Sequence, residues 1–130
     1  MPLEFSVILR DEPGTLARLA GALGDARVNI EGIMGSSCEG TSRVQFLCNA
    51  PDRAAEVLTA ADIPYATHEV VVVRVFDEPG MLGDVALVMS KAGINIEAVY
   101  VTTRGDVVLA VDDVAGAVQV AEGMAVMTPE

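Results

Sequence analysis

An α+β fold, built from two β-α-β-β-α-β units in tandem, is what this chain predicts on three observations. Asp-Glu-Pro-Gly occurs at Asp11-Glu12-Pro13-Gly14 and again at Asp77-Glu78-Pro79-Gly80. Asn-Ile-Glu occurs at Asn29-Ile30-Glu31 and Asn95-Ile96-Glu97, with the same separation of 66 residues. Around both motifs the hydrophobic period passes from two to 3.6 and back in the same order. A solenoid needs about three stacked repeats, so two copies read as two small domains, 1–68 and 69–130. Laying residues 5–34 over 71–100 gives 11 identities in 30 positions, four of them in the acidic turn.

Each element has a local cause. Leu3, Phe5, Val7 and Leu9 alternate with Glu4, Ser6 and Arg10, a half-buried strand with Glu4 on its polar side. Leu16, Leu19, Ala20 and Leu23 recur at helical spacing. Asn29 opens a second strand, Glu39-Gly40 turns the chain, and residues 43–49 form the third strand. Pro51-Asp52 starts a short helix. The fourth strand begins at Ile63-Pro64-Tyr65, where Pro is tolerated only at a start or an edge. In the second copy, 69–76 is a strand and Leu82, Val85, Ala86 and Met89 mark a helix. Residues 95–103 and 106–111 form a hairpin three residues tighter than the first, and 114–122 is a helix. Only 124–130 remains for a fourth strand, which is expected to be short or missing. This order is the ferredoxin-like one, antiparallel sheets with both helices on one face. No Pro/Ser/Gly linker parts the copies, so His68-Glu69 is expected to hold the sheets in a fixed relation.

Composition narrows the function. A unit of about 65 residues is marginal alone, and 52 % hydrophobic residues with 4 % aromatic leave surplus apolar surface, so a homodimer is expected. Net charge is −11, from 19 acidic and 8 basic residues. A nucleic acid or an anionic membrane demands a basic patch, so neither is an expected partner. No apolar run reaches the roughly 18 residues of a membrane span, and no secretory leader opens the chain; a cytoplasmic protein is expected. Cys38 and Cys48 fall on opposite strands of the first hairpin, Cys38 opposite a residue near Thr41 and Cys48 opposite a residue near Glu31, a register in which a bridge between them is geometrically implausible, and both are expected as buried free thiols.

The repeated turn has its own chemistry. Asp11 and Asp77 end a strand and are placed to accept hydrogen bonds from following N–H groups. Pro13 and Pro79 preset the helical φ, and Gly14 and Gly80 let another group approach the backbone. The N–H groups around Thr15-Leu16 and Met81-Leu82 face outward at the positive end of a helix, where a carboxylate is a natural guest. Asp11 and Asp77 could hold an ammonium beside it, and the two charges on one carbon make an α-amino acid. Asn29 and Asn95 add a carboxamide that both donates and accepts, at the start of an edge strand with unpaired backbone groups.

The two-copy β-α-β-β-α-β pattern, with Pro13-Gly14 and Pro79-Gly80 before an apolar helix and Asn29-Ile30 and Asn95-Ile96 opening the second strand, resembles the ACT domain family over nearly the whole chain. ACT domains are small regulatory modules that bind amino acids. The resemblance implies that units pair through edge strands, with ligand lying between the turn and helix start of one and the second strand of its neighbour. It assigns Asp11, Gly14, Asn29 and Ile30 to one site and Asp77, Gly80, Asn95 and Ile96 to the other. The expected function is therefore a non-enzymatic amino-acid sensor that signals to a partner enzyme or regulator. The alternative is an interaction subunit that docks on a biosynthetic enzyme without binding ligand, as small regulatory subunits such as that of acetolactate synthase resemble this pattern in part.

No catalytic residue, metal ligand or cofactor is expected. His68, the one histidine, has no nucleophile and acid placed near it in sequence. Glu12, Glu31, Glu78 and Glu97 lack metal-ligand spacing and read as a solvated face.

Overall fold

The computed structural model describes residues 2–124. The elements are β1 (Leu3–Arg10), α1 (Thr15–Asp25), β2 (Ile30–Cys38), β3 (Thr41–Cys48), α2 (Pro51–Ala60), β4 (Ala66–Glu69), β5 (Val71–Val73), α3 (Met81–Lys91), β6 (Ile96–Val101), β7 (Val107–Val111) and α4 (Val114–Met124). They form two sheets, of order β2-β3-β1-β4 and β5-β7-β6. Among the described residues, Leu3–His68 is one compact unit, and 69–124 with Pro2 is the other. The stretch expected to hold a short or missing last strand falls, past Met124, outside the described residues.

In the first unit, alternation on β1 and β3 sends Phe5, Val7, Val44 and Phe46 to the face covered by Leu19 and Leu23 of α1 and Ala54 and Leu58 of α2. Phe5 and Phe46 are direct cross-strand partners and stack with ring centroids 5.2 Å apart. Glu4 departs from the expected polar side: it is 1 % exposed, and Gln45 Nε2 donates to its Oε1 at 3.0 Å. A buried carboxylate needs such a partner. Glu39 and Gly40 have φ of 51° and 83°, the paired positive values of a type I′ hairpin turn. They set the register Cys38↔Thr41 through Ile30↔Cys48, with a bulge between Ile30 and Gly32. Both cysteines are free, but not buried as expected: Cys38 is exposed at the hairpin turn and Cys48 half-buried. The fourth strand starts at Ala66, three residues later than expected, because Asp62 and Ile63 are used to end α2: Asp62 N–H donates to Thr59 O and Ile63 N–H to Leu58 O.

The second unit repeats the plan on a core of Val71, Val73, Val85, Met89, Leu109 and Ala117. β5 covers three residues where 69–76 was expected. At its start Glu69 already belongs to β4, and at its end the tighter hairpin is the cause. Its turn consumes residues 102–106, closed by Thr102 N–H to Asp106 O at 2.9 Å and Gly105 N–H to Thr102 O at 3.0 Å. The ladder therefore ends at Val73↔Val107, and residues 74–76 have no strand to pair with. Arg74 instead meets Asp106 through an ion pair at 3.4 Å.

Candidate functional site

The two acidic turns fold alike. After β1, Glu12 N–H donates to Arg10 O at 2.9 Å and Arg18 N–H to Gly14 O at 3.0 Å; after β5, Glu78 N–H donates to Phe76 O and Asp84 N–H to Gly80 O, both at 3.0 Å. Gly14 and Gly80 are N-cap residues with φ of 95° and 92°, a left-handed conformation that a Cβ disfavours. Neither helix has a side-chain cap, so Asp11 and Asp77 do not act as caps. Both are exposed, and their carboxylates enter no hydrogen bond or ion pair among the described residues. Thr15 does the local stapling, its hydroxyl donating to Arg10 O at 2.8 Å and Glu12 O at 3.2 Å. The first-turn N–H groups of Leu16 and Ala17 are left without a backbone acceptor, as a helix start leaves them.

Two cavities flank this turn in the first unit. The larger, of about 550 Å³, is lined by Pro13, Gly14 and Thr15 with Arg10, Glu12, Arg18 and Asp62 over an apolar floor of Ile8, Leu9, Ile63 and Pro64. Arg18 is tethered there by a bond to Ala61 O. The smaller, of about 430 Å³, lies on the other side of the helix start. Thr15 and Leu16 meet Ile33, Gly35, Ser36 and Ser37 of β2, with Ser42 and Val44 of β3 and Leu9 of β1 behind them. Only the smaller joins the turn to the edge strand β2, whose outer backbone groups are unpaired.

Asn29 and Ile30 stand elsewhere. Asn29 is tied to the end of β3, its N–H donating to Asn49 Oδ1 at 2.9 Å and its carbonyl accepting from Asn49 N–H at 3.1 Å. Asp11 is tied to the opposite end of β3, its N–H donating to Gly40 O at 3.0 Å. The eight residues of β3, at about 3.3 Å each, separate them, so one unit does not bring its own turn and its own Asn together. Ile30 packs on the core. The second unit matches: Asn95 N–H donates to Asp112 Oδ1 at 3.0 Å and Ile96 packs on its core. Pro79, Gly80 and Leu82 are exposed, and Met81 is half-buried.

The residues that sequence reasoning missed are Ile33, Gly35, Ser36 and Ser42 along the groove, and Asn49 and Asp112 as clamps. A signal existed for the clamps, since Asn49 and Asp112 fall in register once the three-residue difference between hairpins is allowed for. Cys48, beside that clamp, has its thiol pKa pushed up by burial, with Glu31 adding to the rise and a backbone hydrogen bond from Ala50 opposing it. Among the described residues no group of three or more His, Cys, Asp or Glu could hold a metal ion, and no helix is long and apolar enough to cross a membrane.

A β-α-β-β-α-β unit followed by a second of order β-α-β-β-α among the described residues, each opening its first helix on a Pro-Gly turn, fits a tandem regulatory module. The chain belongs to the ACT domain family, matching the ACT domain pair over residues 2–122. It is 34 % identical over 99 residues to a bifunctional uridylyltransferase/uridylyl-removing enzyme of Gluconobacter oxydans, a match that takes in 73 % of this chain and 10 % of that enzyme. The chain thus spans about a tenth of that relative. Among solved structures, a protein from Bacteroides thetaiotaomicron superposes with a TM-score of 0.86 at 19 % identity, over 94 % of this chain and 87 % of the other. The ligand-free regulatory subunit of aspartate kinase from Thermus thermophilus superposes with a TM-score of 0.70 at 16 % identity, over 93 % and 90 %. At such identities the likeness is one of fold.

Proposed function

We propose that this protein is a non-catalytic amino-acid sensor that takes its ligand in the groove between the start of α1 and β2 and passes the signal to a partner enzyme or regulator. The observation that carries the reading is the groove itself. A helix start with free Leu16 and Ala17 N–H groups suits a carboxylate, serine hydroxyls line the wall, and the free Asp11 carboxylate stands near the same turn for an ammonium. The Asn-Ile start of an edge strand from a neighbouring unit would complete it, in keeping with homodimerisation. Membership of the ACT family supports a regulatory role, and the two free thiols fit the reducing cytoplasm.

The groove is favoured over the larger cavity because that cavity touches no residue of β2. A second reading, an interaction subunit docking on an enzyme, is favoured by one observation: Leu82, Val99 and Val101 of the second unit are all exposed.

The test is a thermal-shift panel of the twenty amino acids on wild type and Asp11→Ala. A ligand at about 100 times its Kd adds about 2.7 kcal/mol, so one or a few amino acids should raise the Tm of wild type. Because the Asp11 carboxylate supports nothing in the fold, the variant should keep its stability within about 0.5 kcal/mol and lose the response. A flat panel with a stoichiometric enzyme recovered by pull-down would establish the docking reading instead.

A further inference from the structure

The two units carry the same turn beside different edge-strand residues, and registers align them residue by residue. In the first unit Ile33 pairs with Phe46 and Gly35 with Val44; in the second, Val99 pairs with Leu109 and Val101 with Val107. Gly35 therefore corresponds to Val101, Thr15 to Met81, Ser36 to Thr102 and Arg18 to Asp84. Each change works against a polar ligand in the second unit. Val101 places an isopropyl group, 60 % exposed, where Gly35 leaves the groove open. Met81 brings a thioether where the Thr15 hydroxyl, its proton spent on Arg10 O and Glu12 O, keeps lone pairs that a ligand N–H can use. The Thr102 hydroxyl accepts from Arg104 N–H and Asp106 N–H at 3.2 Å each, so its lone pairs are spent on the hairpin turn. Asp84 puts a carboxylate in the first turn of α3, whereas the first turn of α1 carries no acidic residue. An acid there occupies the positive end of the helix and repels an incoming carboxylate.

The lining also limits the ligand. The first unit's own wall of the groove carries no ionisable side chain; with Asp11 at the turn reserved for the ammonium, a charged ligand side chain lying along that wall would lose water there without gaining a counter-charge. Resting on the sensor reading above, we infer that the ligand is an α-amino acid with an uncharged side chain, and that the first unit alone takes it on its turn and groove. Gly35 is then the residue that sets which copy binds, and the second unit keeps the turn as scaffold beneath an apolar face.

The test is titration of the twenty amino acids one at a time, by calorimetry and by backbone-amide NMR on the full chain. The expected result is binding by uncharged amino acids only, at one per chain, with shifts at Leu16, Gly35 and Ser36 and none at Leu82, Val101 and Thr102. Gly35→Val should weaken binding about tenfold or more with its Tm retained. A Cβ at Gly35 meets nothing nearer than Val44 Cγ2 at 3.5 Å, ordinary contact. Two ligands per chain, shifts at the second unit's turn, or a charged amino acid as the binder would overturn this inference and leave the sensor reading standing. Absence of any binder would overturn the sensor reading and this inference with it. Should Gly35→Val fail to fold, the stoichiometry and shift map of wild type decide alone.

Discussion

Three helices end on the same device, and the residue that carries it differs. After α1, α2 and α3 the chain passes through a left-handed residue, Arg27, Asp62 and Gly93, with φ of 63°, 56° and 74°. The next N–H, of Val28, Ile63 and Ile94, reaches back to Leu23 O, Leu58 O and Met89 O at 2.9 to 3.0 Å, and each of those residues is buried. This is a Schellman ending, where glycine is preferred because a Cβ costs about 1 kcal/mol or more in that region. The second copy already has glycine; the first does not. Arg27→Gly should therefore stabilise the first unit by about 1 kcal/mol, read as a higher denaturant midpoint at unchanged slope. Cys48 gives a pH prediction. Burial holds its folded pKa above the ordinary thiol value of 9.0, so the thiol favours the folded state fully below that value. As pH climbs past it, the unfolded chain ionises first and that contribution is lost. The stability of wild type should thus fall more steeply above pH 9.0 than that of Cys48→Ala. Iodoacetamide should modify the exposed Cys38 first.

Helix α1 shows what packing asks of an element and what it leaves open. Leu19 and Leu23 are fully buried, while Leu16, at the head of the same stripe, is 53 % exposed and lines the groove. The apolar period continues past the core because the helix start faces the cavity. Gly21, on the exposed side, has nothing within 4 Å of a built Cβ, so no close approach requires it. Gly21→Ala should raise stability by about 0.8–1 kcal/mol, and Leu19→Ala should lower it by about 2–5 kcal/mol, both by chemical denaturation. A Gly21→Ala variant that destabilised would show an uncounted contact on that face.

The chain as a whole is strongly acidic. With a net charge of −11 and one ion pair, Arg74–Asp106, among the described residues, self-repulsion opposes the compact state. Added salt shortens the screening length from about 30 Å at 0.01 M to about 8 Å at 0.15 M. The Tm should rise across that range of sodium chloride and level off beyond it. A flat response would mean that the acidic residues are spaced widely enough to ignore one another.

Much of this molecule was legible before folding. The repeat, the order of the described strands and helices, the turn at Glu39-Gly40 and the absence of a disulfide all rest on local rules of periodicity, turn chemistry and register, which act over a few residues. Distance along the chain misled where tertiary pairing intervened. The length of β5 was decided by a turn some thirty residues later, Glu4 was buried against a partner on β3, and β4 gave up its first residues to the end of α2. The candidate site divided the same way. That Asp11, Gly14 and Thr15 stand at a helix start could be read from the sequence because a helix start is a local feature. The groove beside them, with Ile33, Gly35, Ser36 and Ser42, exists only because antiparallel pairing folds β2 and β3 back across α1. The same pairing sets Asn29 at the far end of β3 from the turn, a separation that no spacing between two motifs in one chain can reveal.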